Sequence, residues 1–517
     1  MRKSLLLSTA ILCGALMAAV PTDAGMFGGG SGDGYPSSGK AIDQLKPASD
    51  YSEALKGRPL ALGIMRTRAQ GFVPSATLHD YVRGVMLKLL RGVSMPPSFH
   101  PEVRILAAPE FAGECTPDGT LIITVGLLEQ LETEDELAFV IGHELAHAIY
   151  RHQAPDWYKK SQYYAVINGQ AVDKIAAHVA IGGEAGADIA RGFDVAQHLE
   201  KLSNNVLMPQ MERGQEDAAD ALGFDLMVKA GYDPDASLAV MDKLAEQEAE
   251  AAADAAAARK AAGNGDAQRS QGNLLGSIGS IGSTLLAGGR PSTDQIADLS
   301  IAAFDTAVDN MAEDATAHHP AKEREDLISA YEFRAYRNIR PAMPTPLPWA
   351  PNSTSPLKAE LTQLMSHYTD AENAAAYIAD ASQGTDSSTR TNVAHAIVSP
   401  TTDHAYTEFV ASEYYDKNGN KAGSEAALVK AANGPEPSWQ VYSRLIDYYI
   451  AQQQYPKAQT TMDQAVTRFD NSPVLYPKRI SLYRVSGRQA DADALVPQCK
   501  AVDISELSDA CEKAAKG

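Results

Sequence analysis

The chain has 517 residues, of which 44% are hydrophobic and 21% charged, apolar material for about two to four packed domains, so global disorder is excluded. With 65 acidic against 45 basic side chains the net charge is −20, which removes the attraction behind sequence-independent nucleic-acid binding. No local basic patch points to a nucleic acid or an anionic membrane as partner. Four cysteines are too few for a disulfide scaffold, so packed apolar surface must supply most of the stability.

Arg2 and Lys3 precede an apolar stretch from Leu5 to Val20, and Thr22-Asp23-Ala24 offers a small-x-small cleavage site before Gly25. This is the layout of a secretory signal peptide over residues 1–24, predicting export. Residues 25–40 are rich in Gly and Ser and read as a flexible leader. From Leu78 to Leu90 the apolar positions recur at helical spacing. Val103 to Ala107 and Thr120 to Val125 are strand candidates, the second rich in β-branched residues and bounded by Gly119 and Gly126. Thr133 and Glu136 form a capping-box signature that opens a strongly apolar helix running to about His152. A further helix is expected from about Met211 to Ala230, stopped by Gly231 and Pro234.

Residues 246–262 are strong helix formers, and the Gly, Ser, Asn and Gln that follow make 246–300 a mobile insertion within the first domain. The Pro-rich stretch 341–356 reads as the linker to a second domain. Beyond it the sequence is helical and self-similar at 34 residues: Tyr415, Tyr449 and Tyr483 align, as do Ser424, Ala458 and Ala492. That period resembles the tetratricopeptide (TPR) repeat. No uncharged apolar run after the signal peptide is long enough to span a membrane.

His143-Glu144-Leu145-Ala146-His147 places two imidazoles one helical turn apart, where both can bind one zinc ion. Glu144, turned about 100° away, reaches the water on the metal rather than the metal itself. Zinc lowers the pKa of that water and polarises a carbonyl while the carboxylate takes the proton, the division of labour that hydrolysis needs. A catalytic zinc generally has a third protein ligand. His152 does not fit the spacing of a third histidine, and Glu216, one turn before Asp220, is the better candidate; Glu212, Asp217 and Glu184 compete for that place on spacing alone. Asp220 would orient a ligand histidine through its second ring nitrogen. Cys115 reads as a packing residue, and Cys499 and Cys511 are expected to pair in an oxidising compartment.

Thr116-Pro117-Asp118-Gly119, Glu134 to Ala138 running into His143–His147, Arg213-Gly-Gln-Glu216-Asp-Ala-Ala-Asp220 and Ala230 to Pro234 together resemble an M48-type zinc metalloprotease over roughly residues 70–330. In particular they resemble its bacterial periplasmic branch with a C-terminal TPR domain, the β-barrel assembly-enhancing protease type, which acts in outer-membrane protein quality control. The resemblance implies an α+β, mainly helical fold: a gluzincin-like metalloprotease domain with a small β-sheet over 41–340, then an all-α TPR-like repeat domain over 357–517. It implies one zinc ion per chain held by His143, His147 and Glu216, Glu144 as general base, and Asp220 as the partner behind a ligand. The family's His-Pro element followed by Arg contributes a histidine to transition-state stabilisation or zinc gating. Counting back from Arg324 selects His318 for that catalytic place, while adjacency to Pro320 selects His319. The implied function is a zinc endopeptidase acting on protein or peptide substrates in the periplasm, with a peripheral place at the outer membrane compatible with the resemblance. The peptide is expected to lie beside the Gly119–Gly126 strand, while the TPR-like domain binds a client or the outer-membrane assembly machinery. A chaperone or adaptor with a closed or vestigial zinc site is the alternative.

Overall fold

A computed structural model describes residues 34–45, 71–95, 99–107, 111–116, 118–152, 213–261, 319–337, 339, 341–379, 387–398, 404–502 and 505–516. The expected signal peptide, His318, the alternatives Glu184 and Glu212, and most of the insertion after residue 261 lie outside them.

Helix α1 (Ala76–Leu89) starts where Ser75 Oγ accepts from Leu78 N, and its stripe Leu78, Val82, Val85, Met86 and Leu89 is buried. Strand β1 (Glu102–Leu106) runs parallel to β3 (Thr120–Thr124), and β2 (Gly113–Cys115), an element without a sequence signal long enough to predict, pairs antiparallel with β3 on its other side. The order is therefore β1-β3-β2, with β3 buried at all five positions and both of its edges taken. The β2–β3 turn closes through Gly119 N to Thr116 O at 2.9 Å, and Gly119 at φ 92° has the Phe99 ring where a side chain would stand.

Strand β3 ends in a short helix, α2 (Val125–Gln130), capped by Thr124. Helix α3 (Glu134–Tyr150) opens with the expected capping box: Glu136 N donates to Thr133 Oγ1 at 3.1 Å and Thr133 N to Glu136 Oε2 at 3.3 Å. Helix α4 (Arg213–Lys229) lies across α3. The two backbones touch at Gly142 and Gly223: a Cβ on Gly142 would sit 2.9 Å from Gly223 O, and one on Gly223 2.7 Å from His143 N. Helix α5 (Ala236–Ala261) begins after the Gly231 stop, and its Glu248 accepts from Ala321 N at the start of α6 (Ala321–Ala335).

Two stretches expected to be loose are instead packed. The end of the leader, residues 34–40, and the segment 41–45 that follows it lie on α4 and α6: Tyr35 of the leader is buried and Pro36 O accepts from Arg334 at 2.7 Å, while beyond it Ala41 is buried, Ala41 N donates to Tyr331 Oη at 2.8 Å and Ile42 N to Asp225 Oδ2 at 2.8 Å. The Pro-rich stretch 341–356 is likewise tied to the N-terminal half rather than free. Glu134 N donates to Thr345 O and Leu347 N to Glu132 O, while the Trp349 indole is buried and donates to Leu128 O at 2.6 Å. Gly, Ser and Pro content reports backbone preference, but a few aromatic anchors and backbone hydrogen bonds outweigh it here.

The C-terminal half is helical: α7 (Pro356–Ala379), α8 (Ser387–Val398), α9 (Ala405–Lys417), α10 (Lys421–Asn433), α11 (Trp439–Ala451), α12 (Tyr455–Arg468), α13 (Tyr476–Val485), α14 (Gln489–Lys500) and α15 (Ser505–Lys516). The 34-residue period is visible in the starts of α10, α12 and α14, and in the left-handed residues Gly419, Gln453 and Gly487 that turn each hairpin. It recurs in charge, since Glu413 pairs with Arg444 as Asp447 pairs with Lys478. Cys499 and Cys511 are disulfide-bonded. The core does not break at the Pro-rich stretch: one apolar cluster runs from the sheet and α3 through Tyr368, Ile397 and Val410, and a second fills the later hairpins. No helix among the described residues is long and apolar enough to cross a membrane.

His404 joins the halves. Its Nε2–H donates to Phe72 O at 3.1 Å, and its Nδ1 accepts from Tyr406 N, so the neutral ring satisfies both neighbours. Burial lowers its pKa to about 4, with Phe72 O and Glu436 opposing. The unfolded chain thus takes the proton more readily, and this contribution to stability is full above about pH 6.5 and lost as pH falls towards 4. We expect stability from urea unfolding to decline by up to about 1.4 kcal/mol per pH unit in that window, and His404→Gln to flatten the decline. At the helix crossing, Gly223→Ala should lower stability by about 1–3 kcal/mol in thermal unfolding, because the atoms it meets are backbone.

Candidate metal centre

The capping box fixes the start of α3, and its apolar face, Leu137 to Ile141, is held in the core, so the rotation of the helix is set before the histidines are reached. One turn apart on that helix, His143 and His147 bring their Nε2 atoms to 3.0 Å. Helix α4 supplies Glu216 from its first turn, with Oε2 3.5 Å from His143 Nε2 and Oε1 3.4 Å from His147 Nε2. A tetrahedral zinc with bonds of about 2.0–2.1 Å has ligand-to-ligand edges of roughly 3.3–3.4 Å. The spacing of these three donors, one from each side chain and all within 4.8 Å of one another, therefore fits such an ion.

Asp220, one turn along α4 from Glu216, is fully buried and does two things. Its Oδ1 lies 2.9 Å from His143 Nδ1, and it takes a two-pronged contact from Arg324 of α6, Nε to Oδ2 at 2.9 Å and Nη2 to Oδ1 at 2.7 Å. Burial would raise the Asp220 carboxyl, but Arg324 and His143 outweigh it and hold the group below its ordinary value. Burial would lower His143, but Asp220 and Glu216 outweigh it and raise the imidazole to about 10. His147 is pushed well down by burial, with Glu216 opposing. The Arg324 guanidinium also stands 3.9 Å from Glu216, offsetting part of the negative charge gathered here.

Glu144 is partly buried beside the sheet rather than among the three donors. A Cβ on Gly113 of β2 would come within 3.4 Å of Glu144 Cγ. Burial raises its carboxyl to about 8, with His143 opposing and Glu216 and Glu114 adding to it. A divalent cation at the donor set would favour the ionised form.

Asp217, a rival for the third ligand place, faces away: its Oδ2 accepts from Gly34 N at 3.3 Å and lies 3.5 Å from His319 Nε2. His319 also contacts Glu323 at 3.0 Å, so it is held between two carboxylates and outside the donor set. His318, the residue chosen by counting back from Arg324, lies outside the described residues. The leader's contact with this region had no signal in the sequence except Gly34, whose backbone presses so closely on α4 that a Cβ would clash with Gly214 O. Cys115 is buried, and burial raises its thiol well above the usual range, as suits a packing residue.

Removing the Asp220 carboxylate leaves Arg324 buried without its main partner and His143 free to turn. Asp220→Ala should therefore destabilise the metal-free protein by about 3–5 kcal/mol in urea unfolding. It should also weaken zinc binding about 10–100-fold in competition with a chromophoric chelator.

Residues 77–325 match the family description Peptidase family M48. A stretch of 143 residues is 28% identical to the mitochondrial metalloendopeptidase OMA1 of Arabidopsis thaliana, covering 28% of this chain and 25% of that protein. The chain thus spans about a quarter of the length of that relative. The stretch of the chain that is similar to peptidase family M48 is thus the one that holds the donor triad His143, His147 and Glu216.

Proposed function

We propose that the chain is a zinc-dependent endopeptidase with His143, His147 and Glu216 as ligands and Glu144 as general base. The observation that carries this reading is the convergence of one donor atom each from His143, His147 and Glu216 within 4.8 Å, with the Glu144 side chain next to them in sequence and close to Gly113 of β2. Zinc, when bound, supplies polarisation of the scissile carbonyl and a lowered pKa for water. Glu144 takes the proton of the attacking water and delivers it to the leaving amine. Asp220 keeps the His143 proton on Nδ1, so that Nε2 faces the metal, and Arg324 holds Asp220 ionised.

The substrate strand belongs on β2, not beside the Gly119–Gly126 strand. Both edges of β3 are already paired, whereas β2 is an outer strand of the sheet among the described residues and lies next to Glu144. An extended peptide adding to β2 gains main-chain hydrogen bonds that do not depend on sequence, which suits a protease acting on varied or misfolded chains.

The wider role is envelope or outer-membrane protein quality control in the bacterial periplasm. It is supported by the signal-peptide pattern at residues 1–24 and by the Cys499–Cys511 bond, which suits an oxidising compartment. The 34-residue hairpin period supports a TPR-like array that holds a client or an assembly-machine partner. The alternative of a chaperone with a vestigial site is disfavoured by the donor spacing and by the Asp220–Arg324 support behind it.

Glu144→Gln should reduce cleavage of an unfolded protein substrate by at least about 100-fold while the purified variant still binds one zinc per chain. Undiminished proteolysis by that variant would remove Glu144 from the role.

A further inference from the structure

His152 follows His147 at a spacing that suits no third ligand, and the structure places it behind His147 instead. Helix α3 ends at Arg151, which takes the left-handed conformation at φ 60°, and the chain doubles back so that His152 N donates to His147 O at 3.0 Å. The His152 ring then meets the ligand ring edge to face, with its Nδ1 3.0 Å from His147 Nδ1. It is held there by stacking on Tyr150, with centroids 5.3 Å apart, and its carbonyl faces Gln215 Nε2 of α4 at 3.5 Å.

Both ring nitrogens of His147 are thus engaged on opposite sides, Nε2 towards the donor triad and Nδ1 towards His152. An imidazole that gives a metal its Nε2 lone pair carries its proton on Nδ1, and a buried N–H left without an acceptor is costly. We propose that His152 is a positioning residue for the metal centre: its Nδ1 accepts the hydrogen bond from His147 Nδ1–H and fixes the tautomer that turns Nε2 towards the ion. Asp220 performs the same service for His143 with a carboxylate. A neutral ring behind His147 does so without adding a further negative charge beside the carboxylates of Glu216 and Asp220.

The inference rests on the zinc reading above, and affinity measurements on the full chain separate the two. Zinc affinity is read by competition with a chromophoric chelator for the wild type, His152→Leu and His152→Asn, with circular dichroism of each metal-free protein. Leucine keeps the volume and removes the acceptor, whereas asparagine puts an acceptor oxygen near the place of Nδ1. We expect H152L to bind zinc about 10–100-fold more weakly and H152N to recover most of that loss. Where the leucine variant does not fold metal-free, His152→Ala takes its place in the comparison. Unchanged affinity in H152L, or equal weakening in the leucine and asparagine variants, would overturn the positioning role while leaving the zinc site standing. A wild type that takes up no stoichiometric zinc would instead overturn the zinc reading itself.

Discussion

Two helix backbones that meet with no side chain between them determine where the chemistry can happen. Because Gly142 and Gly223 let α3 and α4 approach to contact, Glu216 and Asp220 on one helix come level with His143 and His147 on the other. A methyl group at either glycine would meet backbone, which cannot move aside as a flexible side chain would. The residue types at the donor set are necessary, but this close approach is what turns four residues spread over 78 positions into one site.

Around that crossing the charges are arranged so that each buried group has an answer. Asp220 lies between His143 and Arg324, Glu216 is shared by both imidazoles and the same arginine, and Asp225 accepts from Tyr331, Tyr336 and the backbone of Ile42. Buried ionic groups are tolerated where geometry and hydrogen bonds are complete, and removing one partner is far worse than never having had the pair. The arrangement draws on α3, α4, α6 and the segment 34–45, so the site is a property of the whole peptidase-like part.

Helix α3 was legible because three independent signals coincide on it: the Thr133–Glu136 box, the apolar run Leu137 to Ile141 and the His-Glu-x-x-His spacing. Glu216 and Asp220 were legible through their helical spacing and the family resemblance together. Strand β2 was not, because three residues with one buried position carry no periodicity, and its existence depends on β3 being there to pair with. The packing of 34–45 and 341–356 was hidden for the opposite reason: their composition is that of loops, while their fixation comes from partners far along the chain. The 34-residue period was visible in its tyrosine and small-residue columns. Its turn column was masked because Gln453 adopts a left-handed conformation that Gly419 and Gly487 adopt without strain. For His152, a ligand spacing was the wrong question; a left-handed helix end folding the chain back was the signal to seek.

The segment 34–45 has a consequence for the order in which the molecule is completed. Its anchors on Asp217, Tyr331 and Arg334 lie 183, 290 and 298 residues downstream of the groups they hold. A chain that emerges from its N-terminus, whether from a ribosome or through a translocation channel, presents this segment long before its seat. Until α6 follows, Asp220 has no guanidinium and the early segment has nowhere to dock. The support behind His143 is thereby completed late in synthesis by topology alone, since Arg324 lies 104 residues beyond the Asp220 it pairs with.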